Sequence, residues 1–106
     1  METLFKTLES PARLTFELSG DLDSKTGPGI KAALVKAIDD TKTEVCLDLA
    51  NVPYIDSSGL NILLTVHKIQ AERGLPMVLR NPSENVRRLF VLSNLEHYFT
   101  LEPAEA

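Results

Sequence analysis

The sequence has no tryptophan, one cysteine, two histidines and only 6% aromatic residues. A single cysteine excludes an internal disulfide and any zinc site built on thiolates. Cys46 lies in an apolar run, where a free cysteine acts as a small core residue. With so few aromatics, the core must come mainly from leucine, isoleucine and valine. No apolar run approaches the roughly 20 residues that cross a bilayer. Met1-Glu2-Thr3-Leu4-Phe5-Lys6 also lacks the charged-then-apolar layout of a signal peptide, so a cytoplasmic protein with no membrane partner is expected. Basic residues are in the minority, 11 Lys and Arg against 15 Asp and Glu for a net charge of −4. Arg87-Arg88 is too short to make an electrostatic footprint, so no nucleic-acid partner is expected. Repeats, linkers and low-complexity stretches are missing too. The 106 residues suffice for one domain with one core.

Hydrophobic patterning supplies the elements. Residues 3–8 alternate weakly, with Leu4 and Leu8 on one side, as in a short edge strand, and Ser10-Pro11-Ala12 reads as a turn. Arg13 to Leu18 alternates cleanly, with Leu14, Phe16 and Leu18 on the buried face and Arg13, Thr15 and Glu17 on the other. This predicts a half-buried strand, hairpin-paired with the first, which Gly20-Asp21-Leu22-Asp23 ends. Thr26 then reads as an N-cap with Pro28 in the first turn. Ile30, Ala33, Leu34, Ala37 and Ile38 form the buried stripe of a helix, although Gly27 and Gly29 each weaken its first turn by about 1 kcal/mol relative to Ala. Asp39 to Thr43 is expected to be a loop, and two carboxylates at a helix C-terminus oppose its dipole slightly, which favours fraying there.

The β-branched and leucine-rich run Glu44–Leu49 predicts a buried strand. A second helix follows, with Leu60, Ile62, Leu63, Leu64, Val66 and Ile69 apolar and Asn61, Thr65, Lys68 and Glu72 on a narrow polar side. Gly74 signals its C-cap and Pro76 stops it. Met77-Val78-Leu79 predicts a short strand, and Ser83 caps a third helix that buries Val86, Leu89 and Phe90. Asn94 is suited to the left-handed conformation at its end. Tyr98, Phe99 and Leu101 predict a last strand, and residues 103–106 a flexible tail. The order β-β-α-β-α-β-α-β argues for an α/β fold with a mixed, largely parallel sheet and right-handed crossovers.

Between the Val45–Leu49 run and the second helix lies Val52-Pro53-Tyr54-Ile55-Asp56-Ser57-Ser58-Gly59-Leu60. Serine is a good N-cap, which places Ser57 or Ser58 at a helix N-terminus, where free amides favour added negative charge. One serine suffices for capping. The other hydroxyl has no evident structural task, which makes the pair a candidate phosphorylation site.

Enzymatic readings fare poorly. A serine nucleophile needs a base, and His67 lies roughly 15 Å along the helix axis from Ser57. Gly-x-Ser-x-Gly is absent. Asp-Ser-Ser-Gly is not the Asp-Ser/Thr-Gly of an aspartic protease, and no second copy supplies a paired carboxylate. Asp21, Asp23 and Asp56 could meet as cation ligands if their loops converge, but ordinary turn hydrogen bonds account for the first two. Gly27-Pro28-Gly29 lacks the Lys-Ser/Thr of a phosphate-binding loop. No catalytic residue, metal or cofactor is therefore assigned.

Taken together, Val45-Cys46-Leu47-Asp48-Leu49, Ile55-Asp56-Ser57-Ser58-Gly59-Leu60, Gly20-Asp21-Leu22-Asp23, and Val86-x-x-Leu-Phe with Ser93-Asn94-Leu95 are similar to the STAS family, and within it to the free-standing bacterial anti-sigma factor antagonists. The resemblance covers nearly the whole chain. It implies a four- or five-stranded mixed sheet with helices packed on it, and a switching role. The serine directly after the aspartate, here Ser57, would be phosphorylated by a partner that is both anti-sigma factor and kinase-type ATPase. A PP2C-type phosphatase would restore the binding form, which frees the sigma factor. Asp21, Asp23, Asp56, Ser58, Gly59, Asn61 and Thr65 would make up the partner surface of a monomer. Asn61 and Asn94 stand where many relatives have glycine. An alternative keeps the fold and changes the job, to a stand-alone STAS module serving a secretion regulator, a signalling enzyme or a lipid-transport complex.

Overall fold

The computed structural model describes residues 4–10, 13–40 and 42–102. Pro11 and Ala12 of the expected turn, Thr41 of the expected loop and the expected tail at 103–106 lie outside that set. The elements are β1 (Leu4–Ser10), β2 (Arg13–Ser19), α1 (Gly27–Asp40), β3 (Glu44–Asn51), α2 (Ser57–Glu72), β4 (Met77–Arg80), α3 (Glu84–Leu92) and β5 (Thr100–Glu102). They form one five-stranded sheet in the order β1-β2-β3-β4-β5. β1 is antiparallel to β2, with Leu8 opposite Thr15, and every later neighbour is parallel. Because strand order follows the chain without reversal, right-handed crossovers put all three helices on one side of the sheet.

The register fixes which residues face those helices. Leu14 pairs with Val45 and Phe16 with Leu47. Val45 in turn pairs with Met77 and Leu47 with Leu79, so one face is an apolar band. Ile30, Leu34 and Ile38 of α1, Ile62, Leu63 and Val66 of α2, and Val86 and Phe90 of α3 close over it in one core. Of the stripe expected for α1, Ala33 and Ala37 are only half-buried.

The opposite face departs from simple alternation. Thr15, Cys46, Asp48 and Val78 are buried there, although no helix covers them. Side chains on that face do the covering. Arg80 bridges Asp48 (3.3 Å) and Glu102 (3.6 Å), while Arg13 pairs with Glu44 and with Glu102 at 2.7 Å. Cys46 lies beneath them fully buried, and burial pushes its thiol pKa up. It is a core residue, as expected.

Three boundaries differ from expectation for identifiable reasons. Asp39 and Asp40 belong to α1 rather than a loop. Arg73 donates to the Ile38 carbonyl at 2.9 Å and pairs with Asp39 at 2.9 Å, so a distant cation offsets the acidic helix end. β3 runs two residues past Leu49 because Asn51 pairs with Ser19 beyond a register shift in β2. Tyr98 and Phe99 precede β5 instead of lying in it. The Tyr98 amide donates to the Leu95 carbonyl at 3.1 Å, a turn that drops Phe99 into the core beside Phe90.

Candidate functional site

The site is built where β2 and β3 end. Past those strands the two following loops stay paired. The Leu22 amide donates to the Tyr54 carbonyl and the Asp56 amide to the Leu22 carbonyl, both at 3.1 Å. This parallel Leu22–Ile55 bridge is the convergence on which a shared acidic site would depend. Leu22 and Ile55 are buried, and Gly59 fits directly above them. A Cβ on Gly59 would fall 2.4 Å from Ile55 Cγ1, 2.5 Å from the Leu22 carbonyl oxygen and 2.7 Å from Leu22 Cβ. Only glycine lets α2 start this close to the bridge, so Gly59 is buried and presents no surface of its own.

The N-cap of α2 is Asp56, where the sequence favoured one of the serines. One carboxylate oxygen of Asp56 accepts from the Ser58 amide at 2.8 Å and from the Gly59 amide at 3.0 Å. Aspartate caps as well as serine does, and the chain reaches it first, once the bridge has set its backbone to extended geometry (φ −104°, ψ −169°). Ser57 and Ser58 therefore occupy the first two helical positions. Ser57 is exposed and Ser58 half-buried. Among the described residues neither hydroxyl has a hydrogen-bond partner.

The neighbouring loop is self-contained. One oxygen of Asp23 accepts from the amides of Thr26 (3.0 Å) and Lys25 (2.9 Å). Those two bonds, the Thr26 one first, hold its carboxyl below the usual range. Thr26 occupies the cap position of α1, its carbonyl accepting from Ile30 at 3.2 Å, but its hydroxyl turns back to donate to the Asp21 carbonyl at 2.8 Å. Asp21 and Asp23 thus shape the loop, and among the described residues no group of three His, Cys, Asp or Glu side chains is placed to hold a metal.

Further along α2, Asn61 is exposed and Thr65 half-buried, with the Thr65 hydroxyl donating to the Asn61 carbonyl at 2.8 Å. His67 faces away from the serines, its ring 4.5 Å from that of Tyr98 and 5.9 Å from that of Phe99. His97 is exposed and lies beside Glu96. Neither histidine is placed as a base for Ser57.

Beside the serines is a cleft of about 450 Å³ between the first turns of α1 and α2, with Ser24, Pro28 and Lys31 on one side and Ser57, Ser58 and Asn61 on the other. Ser24 and Lys31 escaped the sequence reading, and Pro28 entered it only as a first-turn residue of α1. An exposed lysine on a helix is the ordinary case, and only the crossing of α1 over α2 gives this one an address. Gln70 was also missed. It is 1% exposed, and its amide nitrogen donates to the carbonyls of Thr43 (2.9 Å) and Pro76 (3.0 Å), tying α2 to the starts of β3 and β4.

Comparison with known proteins gives a consistent picture. The family model described as STAS domain matches residues 5–106. An anti-sigma F factor antagonist from Paenibacillus polymyxa is 32% identical over 83 residues, 77% of this chain and 71% of that protein. The crystal structure of an anti-sigma factor antagonist from Mycobacterium paratuberculosis superposes with a TM-score of 0.79 at 25% identity, covering 96% of this chain and 86% of that one. The phosphorylated form of the Bacillus cell fate determinant SpoIIAA has the same fold, with a TM-score of 0.68 at 23% identity over 94% of this chain and 92% of that one.

Proposed function

The chain belongs to the STAS domain family, and we propose that it is a free-standing anti-sigma factor antagonist switched by phosphorylation of Ser57. In this reading it is one STAS domain that works in the cytoplasm as a monomer, by binding rather than by turnover. The unphosphorylated form occupies an anti-sigma factor that carries a kinase-type ATPase domain. That partner phosphorylates Ser57 and lets go, and a PP2C-type phosphatase restores the binding form. The observation that carries the reading is the division of labour at α2: Asp56 does the capping, which leaves the Ser57 hydroxyl exposed and, among the described residues, without a structural bond. The name of the Paenibacillus relative and the phosphorylated state of the Bacillus neighbour support it.

The energetics are adequate. A phosphate adds about 1.5 to 2 negative charges, here next to Asp56 and across the Leu22–Ile55 bridge from the loop that carries Asp21 and Asp23. Weakening a complex roughly a thousandfold takes about 4 kcal/mol, within reach of a dianion placed in an interface shaped for a hydroxyl. The acceptor needs no base of its own, because the kinase supplies one. In this reading Asp21, Asp23, Asp56, Ser58, Asn61 and Thr65 make up the partner face with Ser57, and the buried Gly59 sets its height.

A pull-down from cells of the source organism tests this, with wild-type, Ser57→Ala and Ser57→Asp baits. Wild type and Ser57→Ala are expected to hold an ATPase of kinase type that Ser57→Asp loses. Identical partners on all three baits, or no ATPase on any, would overturn the switch and leave a constitutive STAS interaction module.

A further inference from the structure

The geometry points to Lys31 as the residue that holds the phosphate once Ser57 carries one. This rests on Ser57 as the phosphoacceptor and adds a second half to the switch, a resting place for the new charge on the protein itself. Lys31 and Ser57 line opposite sides of one cleft of about 450 Å³, ample for a phosphate. The side chain of Lys31 is exposed, and among the described residues it forms no ion pair. Of the described residues that line the cleft, it alone carries a charge. Gly27 and Ile62 also line the cleft, and a Cβ on Gly27 would come 3.4 Å from Ile62 Cδ1, so α1 and α2 approach each other closely there.

The charged residues on the segments that meet at Ser57 are Asp56 at the start of α2, Asp21, Asp23 and Lys25 in the loop before α1, and Lys31 on α1 itself. Asp56 and Asp23 each have an oxygen engaged by local amides. Asp56 directly precedes Ser57, so its charge opposes that of the phosphate and raises the phosphate's affinity for a proton. Lys31 acts in the opposite sense, favouring the dianion on its own side of the cleft. Lys31 is a positioning residue: it folds the phosphate against α1, so the phosphorylated form is a defined state with its own ion pair.

The test uses the whole chain with phosphoserine installed at position 57 during synthesis, read by ³¹P NMR across the second phosphate ionisation. With Lys31→Gln the phosphate is expected to bind its proton about two- to threefold more tightly than in wild type, the size of an exposed ion pair. Lys31→Arg should restore the original midpoint. Lys36→Gln removes the same charge further along α1, away from Ser57, and should leave the midpoint in place. Equal midpoints for wild type and Lys31→Gln, or an equal shift from Lys36→Gln, would overturn the pairing. Because the phosphate is installed without a kinase, that failure would leave the switch reading standing.

Discussion

Helices α2 and α3 each have a serine at the N-terminus and use it differently. At α3 the Ser83 hydroxyl accepts from the Val86 amide at 3.2 Å, so that hydroxyl is part of the helix. At α2 the Asp56 carboxylate takes two amides and the serines that follow keep their hydroxyls. The third helical position differs as well. Val86 is buried in the core, whereas Gly59 is buried against the Leu22–Ile55 bridge with no room for a side chain. A serine that caps is structural; a serine relieved of capping by an adjacent aspartate is available for chemistry. The difference between the two turns is one residue of register.

The strongest way to break the comparison is Gly59→Ala. Alanine gains about 1 kcal/mol of helix propensity over glycine. Against this, its methyl meets three atoms at 2.4 to 2.7 Å, one of them the Leu22 carbonyl oxygen that already accepts from Asp56. Backbone in a bridge cannot yield as a side-chain tip can, and forced overpacking costs about 3 kcal/mol. A net loss of about 2 kcal/mol in urea unfolding is expected, the difference between those two figures. Unchanged stability would mean that the two loops part easily and that Gly59 does not set the height of the serines.

The caps come next. Asp56→Ala removes the acceptor of two amides and Ser83→Ala the acceptor of one. Each cap loss costs roughly 0.5 to 2 kcal/mol, so Asp56→Ala should be the larger of the two when both are measured by the same denaturation. If Asp56→Ala proves harmless, a serine has slipped into the cap, and the hydroxyl of Ser57 or Ser58 is not independent of the fold.

Much of this was legible in the sequence, for reasons that can be named. The element order follows from residues whose periodicity is unambiguous, such as Leu14, Phe16 and Leu18. The left-handed turns at Gly74 (φ 68°) and Asn94 (φ 59°) follow from residues that tolerate that conformation. What escaped required a partner distant in sequence. Asp39 and Asp40 stay helical because of Arg73, 34 residues on from Asp39. Thr15, read as a residue of the exposed face, is buried beneath arginines recruited from β2 and β4, which alternation cannot reveal. Asp-Ser-Ser offers three adjacent residues that all cap well. Only the Leu22–Ile55 bridge, joining positions far apart in the chain, decides that the aspartate does so.

The smallest expected effect is the most discriminating. Ser57→Ala and Ser83→Ala delete the same atom from the first turn of a helix. Ser83→Ala should cost about 1 kcal/mol. Ser57→Ala removes an exposed hydroxyl that has no partner among the described residues, at a position where alanine suits a helix slightly better than serine. Its stability should match wild type within about 0.5 kcal/mol. Parallel urea titrations of the two variants put this to the test. A loss from Ser57→Ala as large as that from Ser83→Ala would show that the Ser57 hydroxyl holds the helix. A residue needed for folding could not be modified and restored without disturbing the domain, so a neutral Ser57→Ala is what a reversible switch at this position requires.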